Sequence, residues 1–103
     1  MGLIKPNNYN KEEITFARIA DALSHPARTR IIELIQEENI VTQTSLVSHL
    51  NLNRTSVNRH INNLRRANLL LNKYRIHYEI LHLNEETFLQ FEKRLQKLSN
   101  SYK

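Results

Sequence analysis

The stretch that decides the fold is residues 46–70, LVSHLNLNRTSVNRHINNLRRANLL. It contains two runs of apolar residues at helical spacing, separated by a short polar turn at residues 51–53. The second run forms a single stripe, and the other positions around it are polar or basic with no acid. This pattern predicts a helix-turn-helix whose second helix, the recognition helix, enters the major groove of DNA. The apolar positions are Leu46, Val47 and Leu50 in the first helix and Val57, Ile61 and Leu64 in the second.

The charges of the chain are unevenly distributed. The 103 residues have a formal net charge of +5, yet residues 39–78 contain no acid at all. A run of like charge is often only a solvated face, but an acid-free window of this length favours nucleic-acid binding. The six cations of this window are Arg54, Arg59, Arg65, Arg66, Lys73 and Arg75.

Length and composition exclude several classes of protein. A chain of 103 residues suits one domain with a modest core and leaves little room for an enzyme cleft. It has no cysteine, which excludes disulfides and thiolate chemistry. It has no glycine-rich phosphate loop, and its single aspartate, Asp21, has no evident acid–base partner, so we expect neither an enzyme nor a cofactor. It has no long apolar run and no signal-peptide core, so we expect a cytoplasmic protein with no membrane contact.

Capping residues and apolar spacing predict a mostly α (α+β) fold with five helices and a small β-hairpin. Pro26 suits the first position of the second helix, and either Thr42 or Thr44 suits the cap of the third. The other expected caps are Asn10, with Glu13 as its capping-box partner, Asn53 and Asn84. The expected spans are about 11–23 and 26–38 for the first two helices, a third ending at 51, a fourth ending near 68 and a fifth after 84.

Two β-like segments follow the recognition helix, at about 69–71 and 75–83. We expect Asn72-Lys73-Tyr74 to form the tip between them, which would make the hairpin a basic and aromatic wing. Ile40-Val41 is expected to form at most a very short strand. The only glycine is Gly2, so asparagines are expected at helix ends and tight turns, namely Asn39, Asn51, Asn68 and Asn72.

The first and last helices contain more apolar residues than one packed face needs. In the last helix these residues recur at spacings of three, four and three, which resembles a heptad seam. We favour a homodimer formed through both helices; the alternative is that the seam only covers the domain's own core. The predicted interface residues are Phe16, Ile19, Phe88, Phe91, Leu95 and Leu98.

The order of elements resembles the ArsR-type winged helix-turn-helix regulators over residues 11–98. ALSHPARTRIIELI at 22–35 is similar to that family's A-L-x-x-P-x-R-x-x-I-L signature, and residues 45–70 are similar to its DNA-binding motif. The resemblance implies a homodimeric repressor, with the first and last helices paired across a twofold axis, and a palindromic operator. We therefore expect one domain at 11–98, a flexible leader at 1–10 and a tail at 99–103. The matching positions of the second stretch are Leu46, Leu50, Leu52, Val57, Arg59, His60, Ile61, Leu64, Arg65, Ala67 and Leu69.

One part of the family's chemistry is not carried over. The thiolate pair of metal-sensing members corresponds to Thr42 and Thr44 here, and the last helix has no histidine. Transition metals require thiolate or imidazole ligands at fixed spacing, so we expect no metal site. His77 and His82 lie an odd number of positions apart on one expected strand and would face opposite sides. His60 is expected to be a packed residue at the core edge.

These observations predict a sequence-specific DNA-binding transcriptional regulator that binds duplex DNA. Arginine and asparagine near the start of a recognition helix can pair with guanine and adenine edges, although some of these residues are expected to be merely exposed. Arg65 is expected to contact phosphate or cap carbonyls. The alternative function is a protein-interaction module whose basic face docks an acidic partner. The candidate DNA contacts are Arg54, Thr55, Ser56, Asn58, Arg59, Asn62 and Arg65 on the helix, and Lys73, Tyr74 and Arg75 on the wing.

Overall fold

The computed structural model describes residues 8–74 and 79–100, except for the side chains of 72–74. Within these residues the predicted winged helix-turn-helix architecture is confirmed, with its five helices and a two-stranded antiparallel sheet. Residues 1–7 of the predicted leader and 101–103 of the predicted tail lie outside the described residues. In chain order the elements are α1 (Lys11–Ala22), α2 (Pro26–Glu37), α3 (Gln43–Leu50), α4 (Arg54–Arg66), β1 (Leu70–Tyr74), β2 (Glu79–Leu83) and α5 (Glu85–Ser99).

The predicted capping residues occupy the N-cap positions of the helices. Asn10 and Glu13 form a complete capping box, in which the Glu13 N–H donates to Asn10 Oδ1 at 2.8 Å. Thr42, rather than Thr44, caps α3, and its Oγ1 accepts from the Ser45 N–H at 3.1 Å. Asn84 occupies the N-cap of α5, but its side chain makes no capping hydrogen bond.

Two of the four asparagines predicted at turns have the left-handed backbone that the prediction requires. Asn51 ends α3 with φ of 53°, and Asn68 follows α4 with φ of 61°. Asparagine tolerates this region better than other residues with a side chain, and glycine is absent here. Asn39 lies in a bend without positive φ, and Asn72 lies in a strand.

The predicted hairpin tip is wrong. Residues 72–74 lie in β1, where Asn72 pairs with Leu81 and Tyr74 pairs with Glu79. The connection therefore falls at 75–78, outside the described residues. The paired strand continues past Asn72 because the ladder satisfies its backbone groups, which outweighs the local turn preference of asparagine.

The predicted short strand at residues 40–41 does not form. Val41 nevertheless joins the sheet through one bond, in which its carbonyl accepts from the Leu81 N–H at 2.9 Å. This bond ties the segment between α2 and α3 to β2.

The core lies between the first four helices and the hairpin. α4 contributes its apolar stripe, because Val57, Ile61 and Leu64 are fully buried. α5 adds the buried Thr87 and, at the edge of this core, the half-buried Phe88 and Phe91. Burial of a single stripe fixes the rotation of α4 about its axis, so the remaining faces of the recognition helix point away from the core. The buried apolar residues are Ile19, Ala22, Ile31, Ile32, Leu34, Val41, Leu46, Val57, Ile61, Leu64, Leu69, Leu70, Ile80 and Leu81.

Candidate nucleic-acid interface

The outward faces of α4 carry the residues predicted to contact DNA. None of these side chains lies in the core, and Ser56 and Arg65 are the two that are half-buried. Their placement meets the geometric requirement of a recognition helix; the DNA contacts themselves stay predictions. The exposed candidates are Arg54, Thr55, Asn58, Arg59 and Asn62.

The N-terminus of α4 is capped and electropositive. Asn53 Oδ1 accepts from the Ser56 N–H at 2.8 Å, and the first turn contains no acid. Helix N-termini attract anions because their free N–H groups and the helix dipole carry partial positive charge. Arg54, the first residue of the helix, adds a full charge at the same end.

Arg65, near the C-terminal end of α4, is bonded to two other side chains of the same protein. Its guanidinium forms an ion pair with Glu79 of β2 and donates to Asn62 Oδ1 at 3.3 Å. Its side chain is 34% exposed. Arg65 therefore braces the hairpin against the recognition helix, and we rank it below the exposed residues as a DNA contact.

A groove runs between the start of α3, the outer face of α4 and β2. Gln43 and Thr44 line it on one side, and Arg54 and Asn58 line it on the other. The first backbone N–H groups of a helix have no intrahelical partner, and the capping bonds of Thr42 serve only Ser45 and Leu46. The starts of α3 and α4 thus both border this groove, which the paired side chains of Arg65 and Glu79 also line. Gln43 and Thr44 were not among the predicted DNA contacts, although a cap at Thr42, one of the two predicted, places them in the first turn of a helix.

The predicted wing contacts lie only partly within the described residues. Lys73 and Tyr74 belong to β1 by their backbone, and their side chains lie outside the described residues. Arg75 also lies outside them. Their contact with DNA stays a prediction.

The inner edge of α4 meets α2 through His60. His60 Nδ1 accepts from Arg28 Nε at 3.3 Å, and its ring lies 4.5 Å from the ring of His25. The prediction of a packed, hydrogen-bonded histidine is confirmed. Burial lowers the pKa of His60, and the neighbouring His25, Arg28 and Arg59 lower it further.

The two histidines do not suit a metal. His25 Nδ1 accepts from the Ala27 N–H at 3.0 Å, so in both rings Nδ1 is the acceptor. The Nδ1 lone pair of each ring is thus already used by a hydrogen bond within the chain. Among residues 8–74 and 79–100, no three side chains of the metal-binding types converge on one point.

α1 and α5 form a second surface. The rings of Phe16 and Phe91 stack with centroids 4.8 Å apart and planes 18° apart. Ile19 is 3% exposed and belongs to the core, and it also lines the groove between α1 and α5 beside Phe16 and Phe91. Its place in a dimer interface stays a prediction. Leu95 and Leu98, by contrast, are 49% and 45% exposed. The first half of the α5 seam covers the core, as the alternative reading expects, and its second half faces outward. Pairing of two copies through that second half stays a prediction.

No helix among the described residues combines the length and the apolar character that crossing a membrane requires.

Comparison with known proteins agrees with this geometry. Residues 24–70 match a family described as winged helix-turn-helix DNA-binding. This segment begins just before α2 and ends at the start of β1, so it contains the whole helix-turn-helix. No curated protein matches the chain.

Several solved structures described as ArsR-like or ArsR-family transcriptional regulators share this fold. An ArsR-like transcriptional regulator from Rhodococcus sp. RHA1 superposes with a TM-score of 0.75 at 19% identity, over 87% of this chain and 84% of that one. NolR from Sinorhizobium fredii gives 0.69 at 20% identity, over 99% and 97%. A homodimeric winged helix-turn-helix domain from Mycobacterium bovis, described as a possible ArsR-family regulator, gives 0.69 at 15% identity, over 97% and 90%. The resemblance found in the sequence is confirmed in the fold.

Proposed function

We propose that this winged helix-turn-helix protein, which has the fold of the ArsR-type regulators, is a transcriptional regulator that binds duplex DNA in a sequence-specific manner. The observation that carries the proposal is the division of α4 into a buried stripe and an outward, acid-free polar face. A helix with only a structural role has no need to keep acids off its whole exposed surface. The match of residues 24–70 to a DNA-binding family supports the same function.

The outward face of α4 would supply the base contacts. Asn58 and Arg59 lie one turn into the helix, where a recognition helix approaches base edges. Arg54, with Gln43 and Thr44 across the groove, would hold a backbone phosphate and fix the register of the helix. Thr55, Ser56 and Asn62 complete the proposed contacts on α4, and Lys73, Tyr74 and Arg75 those of the wing.

The protein would act as a homodimer. Leu95 and Leu98 are exposed on α5, on the same side of the helix as Phe91 and its stack with Phe16, which gives an apolar surface for a second copy. The homodimeric state of the Mycobacterium bovis domain supports this assembly. Twofold symmetry would then present two recognition helices about 34 Å apart, one turn of B-DNA, to a palindromic operator. We further propose that it represses transcription in the cytoplasm without a bound metal.

The salt dependence of duplex binding tests the proposal. If about three cations of each protomer contact phosphate, a dimer makes roughly six contacts, and log affinity should fall with log salt at a slope of about −5. The measurement is retardation of a duplex selected from a random-sequence pool, at several salt concentrations. A slope near zero would contradict the proposal. Failure to retard any duplex at low salt would instead favour docking of an acidic protein on the basic face.

A further inference from the structure

Arg28, on α2, contacts two other helices at once. Its Nη1 donates to the carbonyls of Asp21 and Ala22 at the end of α1, both at 3.3 Å. Its Nε donates to His60 Nδ1 of α4 at the same distance. One guanidinium therefore links the end of α1 to the middle of the recognition helix.

His60 adjoins the proposed DNA contacts along α4. Arg59 precedes it and faces outward, while Ile61 follows it and is buried in the core. A shift at His60 would rotate or translate the outward face of α4 relative to the rest of the domain. Recognition of a base edge requires hydrogen-bond geometry within a few tenths of an ångström, so a small displacement is costly for specific binding.

We propose that Arg28 and His60 are positioning residues, which hold the recognition helix at the angle that sequence-specific DNA binding requires. This inference rests on the proposed function. It assigns to the arginine of the 22–35 stretch a role beyond packing, since Arg28 acts through His60 on the DNA-binding face of α4.

The bond between the two side chains depends on the charge of His60. A neutral imidazole can accept through Nδ1, whereas an imidazolium is a donor at both nitrogens and cannot accept from Arg28. Beside burial, the groups that lower the pKa of His60 are all basic: His25 just before α2, Arg28 of α2 and Arg59 of α4 itself. The groups that α1 brings to this contact are two backbone carbonyls, and both accept hydrogen bonds from Arg28. Protonation of His60 therefore breaks the link without creating a compensating ion pair.

Two substitutions separate positioning from charge. Arg28→Gln removes the link, and Arg30→Gln removes the same charge from an exposed position two residues away. Specific affinity is measured on the selected duplex, and non-specific affinity on a shuffled duplex of equal composition, at pH 7.5. We expect Arg28→Gln to lower specific affinity about tenfold more than Arg30→Gln, as for one lost hydrogen bond to a charged group. Circular dichroism at the assay temperature establishes that both variants are folded.

The pH profile distinguishes positioning from a general structural role. In His60→Gln the amide oxygen can accept from Arg28 but does not titrate, so binding at pH 7.5 should stay within about threefold of the unmodified protein. On acidification to pH 5.5, the unmodified protein should lose specific affinity relative to His60→Gln. His49→Gln, an exposed change on α3, should keep the profile of the unmodified protein.

Failure of the positioning role and failure of the proposed function would give different results in these experiments. Equal specific affinities of Arg28→Gln and Arg30→Gln, or the same pH profile with and without His60, would overturn the positioning role and leave the proposed function intact. If the unmodified protein retards no duplex at any pH, the proposed function fails and the inference fails with it.

Discussion

The guanidinium of Arg65, on the recognition helix, forms an ion pair with the carboxylate of Glu79, the first residue of β2. Glu79 is also the first acid after the long acid-free window, so the residue that ends this window neutralises one of its cations. The ion pair fixes the hairpin relative to α4, and it makes Arg65 less available to bind another anion such as a phosphate. The same contact thus shapes the interface and limits its charge.

Glu79→Gln should increase duplex affinity with little cost in stability. Both side chains are partly exposed, so the pair contributes less than about 1 kcal/mol to folding. Released Arg65 would be free to contact phosphate, which makes the salt slope of a dimer more negative by about 2. The measurement is retardation of random duplex at several salt concentrations. Glu86→Gln, an exposed acid on α5, is the matched control, and an equal slope in the two variants would contradict the prediction.

Substitutions in α4 should weaken mainly specific DNA binding, whereas substitutions on the wing should weaken specific and non-specific binding alike. Arg59→Ala or Asn58→Ala should weaken binding to the selected duplex by about 1–3 kcal/mol and binding to random duplex much less. Lys73→Ala should weaken both about equally, because a phosphate contact carries no sequence information. Competition retardation with both duplexes measures the difference, with Arg30→Ala as the control for loss of charge. Parallel losses in all the variants would mean that α4 does not read sequence.

Local signals predicted the helices well. The caps at Asn10, Thr42 and Asn53 and the proline at position 26 act within one turn of the chain, and each begins a helix where expected. The rotation of α4 was also predictable, because its polar and apolar positions separate at helical spacing.

Contacts between distant residues were not predictable in the same way. Asn72 by itself favours a turn, but its pairing with β2 keeps it within strand β1. Arg28 and His60 are 32 positions apart, and Arg65 and Glu79 are 14 apart, so no spacing rule in one helix or strand joins them. The burial of Ile19 in the core could not be predicted from α1 alone, because that helix has apolar residues on more than one face.

Two asparagines at helix starts should respond differently to the same change. Asn53→Ala should lower the free energy of unfolding by about 1 kcal/mol, since its side chain caps α4. Asn84→Ala should cost much less, because the Asn84 side chain makes no capping bond. Urea denaturation followed by circular dichroism gives both values. Equal losses would mean that the Asn53 bond contributes little in solution.

Leu95→Glu should dissociate the proposed dimer. A carboxylate on the exposed half of α5 would have to be desolvated at an apolar interface, which is costly without a partner. Sedimentation should show a dimer for the unmodified protein and a monomer for the variant. Leu71→Glu places the same charge on a leucine of similar exposure in β1 and should stay dimeric. Two dimeric variants would place the interface elsewhere.

Stability should fall in acid because of His60. Burial, and then the nearby cations, lower its pKa in the folded protein below the value of about 6.5 in the unfolded chain. Well above pH 6.5 neither state holds this proton, so His60 contributes no pH dependence there. As the pH falls through 6.5, His60 binds a proton in the unfolded chain but not yet in the folded protein. The free energy of unfolding therefore decreases until the pH passes the folded-state pKa of His60. Urea denaturation between pH 7.5 and pH 5 should therefore show a smaller acid-induced loss in His60→Gln than in the unmodified protein. His49→Gln is the control, and a loss in His60→Gln as large as in the unmodified protein would show that His60 is protonated as readily in the folded state as in the unfolded chain.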